Sequence, residues 1–345
     1  MKGKAKTVFP GNNSSRGFYS YYESGLSGME RIYILKGGPG TGKSSLMRRL
    51  GEAFLTRGFD VEFWQCSSDN DSLDGILVPV LKTAMIDGTA PHIVDPRYPG
   101  VREEILHLGE YWDPQVLSRG REKIVALTDE ISAAFAMAYR RLGAAGSWDL
   151  QLQQERGTQT KVPTGAGEFV AEVLGEDGFS LRHLFASAVT PAGIVDLTFD
   201  LCRECKTRYF LLGKRGLGQR AYMEQLVAGA VERRRDVEIY HGCLHADEVV
   251  LVIFPKLELS VAAVETFPEE ERRSDDHVLD FSGEETKTMQ IAEGKRDTLI
   301  AAGVEEIARA HKLHDALESY YIEAMDFSAL DEIGGKILQE VLKES

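Results

Sequence analysis

The chain has 345 residues, 43% of them hydrophobic and 27% charged, with a formal charge of −14. This composition predicts a soluble folded protein with room for two domains of ordinary size, each with its own core, and its acidity argues against a surface that coats nucleic acid broadly. The longest apolar run, Val249–Phe254, is too short for a membrane span, and the basic start Met1–Lys6 leads into no apolar stretch that would read as a secretory signal. Four cysteines in that context predict reduced thiols and a cytoplasmic location.

In chain order, Phe18, Tyr19, Tyr21 and Tyr22 come first, either as the aromatic face of a helix packed on a sheet or as a stacking surface for a base. Arg31–Lys36 is a short apolar strand, followed by a glycine loop at Gly37–Ser44 and a helix from Lys43 to about Thr56. A second strand, Val61–Cys66, leads into a polar loop carrying Asp69, Asp71 and Asp74, and an apolar segment ends at Asp87. A long helical stretch covers Gln115–Leu142. Glycine, threonine and proline crowd at Gln154–Glu168 and mark a join. The order then recurs: strand Thr207–Leu212, glycine loop Gly213–Arg220, a helix ending near Arg233–Arg235, strand Val237–Gly242, and a long helix over Lys295–Ala324.

The recurrence is a repeat in the residues themselves. Gly213 lies 176 residues after Gly37, and at that offset Gly40 meets Gly216, Gly42 meets Gly218, Met47 meets Met223 and Asp60-Val61-Glu62 meets Asp236-Val237-Glu238. Phe9 likewise meets Phe185, and Pro79 meets Pro255. Identities at one fixed offset, on glycines and core positions, indicate a tandem duplication. The expected organisation is a domain at 1–160, a linker at 161–175 and a duplicated domain at 176–345. Buried, non-alternating strands separated by helices predict an α/β fold. Each copy is a mostly parallel sheet flanked by helices and closed by a helical stretch.

The first loop, Gly37-Gly38-Pro39-Gly40-Thr41-Gly42-Lys43-Ser44, fits the Walker A pattern G-x-x-x-x-G-K-[ST]. Glycines let backbone N–H groups turn inward, and the following helix aims its positive end at the same point. Gly38, Pro39, Gly40, Thr41, Gly42, Lys43, Ser44 and Ser45 are therefore the candidate nucleotide-binding residues, with Lys43 reaching the β- and γ-phosphates and Ser44 completing a magnesium shell. On these residues the chain resembles the P-loop NTPase superfamily, and Gly37–Leu50 is similar to its ATPase branches. More narrowly, both halves resemble a family of bacterial ATPase-like proteins with two tandem P-loop domains. Gly17-Phe18, Ser72-Leu73-Asp74-Gly75 and Gly88-Thr89-Ala90-Pro91-His92 are phrases that this resemblance leads one to expect. It implies ATP with magnesium and names no further substrate.

In the second copy Gln219 stands where the first has Lys43, and Arg220 stands for Ser44. One competent site is expected, with weak anion binding at Arg215 and Arg220 as the lesser alternative. Residues lost together with Lys43 and Ser44 become chemical candidates. Asp87 meets Ala263 or Val264, Asp69 meets His245, and Asp74 meets Val250, whereas Asp71 meets Asp247. Asp87 is thus the expected magnesium-side acid, Asp69 or Asp74 the group that positions water, and Asp71 a turn residue. His92, which has no histidine counterpart, is placed along the site. Gly88 follows Asp87, so the adjacent acid pair of many motor ATPases is missing. Cys202-x-x-Cys205 reads as buried packing, because the His241–His245 cluster belongs to the opposite sheet edge. The leading expectation is an ATP-binding protein with slow magnesium-dependent ATPase activity and a structural or regulatory second copy. The alternatives are a small-molecule kinase and a non-hydrolysing switch in which nucleotide sets the contact between the two domains or with a protein partner; a homo-oligomer is the other partner to expect.

Overall fold

The computed structural model describes residues 2–157 and 180–343. The expected linker 161–175 lies outside them. The first half runs β1 (Ala5–Val8), β2 (Gly11–Ser14), β3 (Gly17–Ser20), α1 (Tyr22–Gly25), β4 (Arg31–Lys36), α2 (Lys43–Thr56), β5 (Val61–Gln65), β6 (Leu73–Val78), β7 (Thr83–Asp87), β8 (Glu103–His107), α3 (Pro114–Arg119) and α4 (Arg121–Gly157). The second half runs β9 (Leu181–Phe185), β10 (Ser187–Thr190), β11 (Gly193–Asp196), α5 (Thr198–Cys202), β12 (Thr207–Leu212), α6 (Leu217–Glu232), β13 (Val237–His241), β14 (Val249–Phe254), β15 (Leu259–Val264), β16 (His277–Asp280), α7 (Lys287–Ala324) and α8 (Phe327–Lys343).

Each half forms a six-stranded sheet, ordered β1-β5-β6-β7-β4-β8 in the first and β9-β13-β14-β15-β12-β16 in the second. The orders are equivalent strand for strand. The 176-residue offset also holds in register, since Leu35 pairs with Asp87 and Leu211 with Ala263. That pairing makes Ala263 the counterpart of Asp87. Beyond β15 the second copy is three residues shorter, because Ile34 pairs with Ile105 while Phe210 pairs with Val278.

Both sheets are mixed and mostly parallel, as expected, with one antiparallel strand in each. β6 runs antiparallel to β5 and β7, as β14 does to β13 and β15, and the other pairs in both sheets are parallel. An apolar run such as Leu73–Val78 is buried throughout and reads the same in either direction. The connection decides it. Pro79–Leu81 and the left-handed Lys82 (φ 48°) reverse the chain at once, and a turn that short cannot carry a parallel crossover.

Alternate side chains of each strand serve two cores. Tyr33, Leu35 and Met85 face outward onto Leu46, Met47 and Leu50 of α2, where α8 adds Leu330, Ile337 and Val341. The last helix therefore returns to the first half. Ile32, Ile34 and Ile86 face inward and join Phe210, Leu251 and Ala262 of the second sheet in one buried cluster, so the two halves share their central core. At the junction Phe9 bridges Phe185, its own counterpart. Around that bridge Lys6 pairs with Glu238 at 2.6 Å and Arg182 pairs with Glu62 at 2.7 Å. Lys6 matches Arg182 and Glu62 matches Glu238 at the offset, so the quartet has the same twofold relation. Burial alone would raise the Glu238 carboxyl, but Lys6 and Arg182 hold it down at about 2.

The long helices run further than periodicity indicated. α4 continues to Gly157 and α7 begins at Lys287, and the two pack side by side along small residues. A β-carbon on Gly303 would lie 3.0 Å from Leu142. Among the described residues no helix is long and apolar enough to cross a membrane.

Candidate functional site

The loop Gly37–Ser44 joins β4 to α2 and lies beside the end of β7. Gly40 (φ 67°) and Gly42 (φ 82°) take left-handed conformations that strain other residues. The turn buries Thr41, whose hydroxyl donates to the Gly38 carbonyl at 2.8 Å. Lys43 Nζ folds back over the loop, donating to the Gly38 and Gly37 carbonyls at 2.8 and 3.1 Å, and stands 3.6 Å from Asp87 Oδ2. The other Asp87 oxygen accepts from the Thr89 backbone N–H at 2.8 Å. Ser44 Oγ accepts from the Leu73 N–H at 3.0 Å and ties the helix start to β6, while Ser45 faces solvent. Lys43, Ser44 and Asp87 are thus brought together at one helix N-terminus.

The mouth of this loop is covered by the second half's long helix. Glu318 of α7 accepts the Gly40 N–H on Oε1 at 3.1 Å. A β-carbon on Gly40 would lie 2.7 Å from the Glu318 carbonyl, and one on Gly38 would lie 2.6 Å from the Tyr321 ring. These glycines therefore serve the close approach of α7 as well as the turn.

The two acids expected to position water have different surroundings. Asp69 accepts from the Asp71 N–H at 3.0 Å and the Ser72 hydroxyl at 2.5 Å, so its carboxylate organises the turn between β5 and β6. Asp71 is exposed. Asp74 lies inside, with Oδ1 3.4 Å from His92 Nε2. The Tyr22 ring stacks on His92 with centroids 5.2 Å apart, and Phe18 meets the same imidazole edge-on at 4.7 Å. Phe18 and Tyr19 stand on the β2–β3 hairpin, not on the helix expected for them. Burial and the nearby Asp74 charge push the Cys66 thiol well above its usual range. Burial pushes the His92 imidazole down, but the Asp74 carboxylate outweighs it and raises the group overall. Sequence reading left Cys66 unnoticed. The signal was its position at the end of β5, where the second copy has Gly242.

The second loop keeps the backbone plan and changes its occupants. Gln219 takes the place of Lys43 and donates to the Leu211 and Gly213 carbonyls at 2.9 and 3.0 Å. Arg215 lies 3.7 Å from Glu248 and 3.8 Å from Glu265, and Arg220 pairs with Glu224 at 2.9 Å and lies 3.5 Å from Asp247. Both arginines expected to hold an anion are engaged by the chain's own carboxylates. Arg156, from the end of α4, donates to the Arg215 carbonyl at 3.3 Å and pairs with Glu285 at 2.8 Å. Each loop is thus met by the long helix of the other half. Cys202 and Cys205 pack into the shared apolar core, as expected. The chain matches no protein-family model, no curated protein and no solved structure.

Proposed function

We propose that the chain binds ATP with magnesium at Gly37–Ser44 and hydrolyses it slowly, with the second half as a structural and regulatory partner. One observation carries this reading: Lys43, Ser44 and Asp87 converge on the N-terminus of α2, and all three are replaced at the equivalent point of the second half by Gln219, Arg220 and Ala263. Lys43 and the loop amides would hold the β- and γ-phosphates, and the start of α2 adds its partial positive charge. Ser44 and the Asp87 side would hold Mg²⁺, which when bound offsets phosphate charge. No acid follows Asp87, and the Asp69 carboxylate is committed to its turn, so turnover is slow on this reading.

The same geometry supports a second reading, a nucleotide-controlled switch. Glu318 and Tyr321 lie over the loop, so a bound triphosphate must displace the end of α7. The test is ATP affinity by calorimetry with magnesium. Lys43→Ala should weaken binding roughly 10- to 150-fold, consistent with ~1.5–3 kcal/mol for charge-assisted hydrogen bonds, while Gln219→Ala leaves it unchanged. Equal affinity in wild type and Lys43→Ala would sink the proposal. Tight binding without phosphate release, together with a change in scattering profile, would select the switch.

A further inference from the structure

Behind the loop, Cys66, Asp74 and His92 form a buried polar group. Each offers one ligand atom, and these atoms lie within 4.8 Å of one another. All three side chains belong to residues less than a tenth exposed, with His92 at 7% and Asp74 at 3%. They come from separate pieces of chain: the end of β5, the second residue of β6 and the loop after β7. The group has more polar capacity than it uses. Asp74 Oδ2, His92 Nδ1 and the Tyr22 hydroxyl are buried without a hydrogen-bond partner. A neutral His92 ring leaves the buried Asp74 carboxylate without a counter-charge in this group, and protonating the ring buries a second charge. Either arrangement costs free energy at a buried site.

We infer that Cys66, Asp74 and His92 hold a zinc-class divalent cation, with an open fourth position facing the Tyr22 hydroxyl. A thiolate, a carboxylate and a neutral imidazole bring two negative charges, which a divalent ion balances. Sulfur and imidazole donors select a borderline transition metal over Mg²⁺ or Ca²⁺, which take oxygen ligands. Bonds of about 2.0–2.3 Å in a tetrahedral arrangement place donor atoms about 3.5 Å apart. The Asp74–His92 separation of 3.4 Å already fits, and the remaining closure is within side-chain motion. A water in the fourth position would satisfy the Tyr22 hydroxyl.

The second half supplies an internal control. At the offset, Cys66, Asp74 and Tyr22 become Gly242, Val250 and Thr198, and the stretch after β15, residues 265–276, carries no histidine. Cysteines elsewhere, such as Cys243, are buried with no such companions among the described residues.

Metal binding can be read without nucleotide, so its outcome is separate from that of ATP binding. Tag-free protein would be stripped with a chelator, checked for folding by circular dichroism and titrated with Co²⁺. The expected result is one ion per chain, with a thiolate-to-cobalt charge-transfer band and tetrahedral d–d bands, both displaced by one equivalent of Zn²⁺. Cys66→Ser should lose the charge-transfer band, His92→Ala should weaken binding at least 100-fold, and Cys243→Ser should behave as wild type. Folded wild-type protein that binds no stoichiometric Co²⁺ would overturn the inference. So would a charge-transfer band that survives Cys66→Ser.

Discussion

The two glycine loops share a backbone plan and differ in the sign of what fills them. The first, with Lys43 and inward-facing amides, receives a carboxylate, Glu318. The second, with Gln219 in the lysine's place, receives an arginine, Arg156, at a loop carbonyl. In each case the visitor comes from the long helix of the other half. A strand–glycine turn–helix unit therefore does not fix what it attracts. With Gln219 in the lysine's place and acids around its arginines, the second loop is a neutralised joint between the halves.

The largest effect concerns what the halves have in common, the Lys6–Glu238 and Arg182–Glu62 quartet. Glu238 is held at about 2 when folded against 4.5 for an ordinary glutamate. Its contribution is complete above pH ~4.5 and is lost as pH falls toward 2, amounting to roughly 3 kcal/mol at ~1.4 kcal/mol per pH unit. Urea unfolding across that range should show both halves weakening in one transition. An equal acid loss in Glu238→Gln would remove the quartet from the explanation. Arg156→Ala comes next. It leaves the partly buried Glu285 without its main cation and takes a second cation from Glu293, which keeps Lys214, at a cost of about 2 kcal/mol in denaturant unfolding. A neutral result would mean that the second loop is not held shut by α4.

Backbone substitutions separate the loops more finely. Gly40→Ala combines a left-handed φ with a 2.7 Å clash and should cost about 1–3 kcal/mol, whereas Gly216→Ala, in extended backbone with a 3.2 Å neighbour, should cost less than about 1 kcal/mol. Equal losses would show that α7 yields easily at the first loop. The smallest expected effect is a gain. Glu318→Gln removes a half-exposed competing anion and should tighten ATP binding by about fivefold, near 1 kcal/mol. Unchanged affinity would mean that Glu318 does not compete for the loop.

Much of this arrangement was legible in the chain. The strand Arg31–Lys36, the loop, and the helix from Lys43 to Thr56 occur where hydrophobic pattern and glycines placed them, and the 176-residue offset marked the equivalent strands in advance. Strand direction was not legible, because Leu73–Val78, Asp74 aside, carries apolar residues on both faces and only Pro79 hints at the reversal. The cover over the loop was hidden for another reason. Glu318 lies 278 residues from Gly40, and an acid on a helix surface looks like any solvated charge until the helix is placed. Asp74 and His92 were noticed separately as losses in the second copy, but their meeting with Cys66 depends on β5 and β6 being antiparallel neighbours.

The bridge between Phe9 and Phe185 has a consequence of its own. A residue that touches its own equivalent is what an isologous dimer has on its axis. The single chain keeps that dimer geometry, with both subunits on one polypeptide and their long helices exchanged. Joining them guarantees equal numbers of each and lets one subunit change its loop residues without losing its place. Two free polypeptides with this interface would also form like pairs, and the fused chain avoids that mixture.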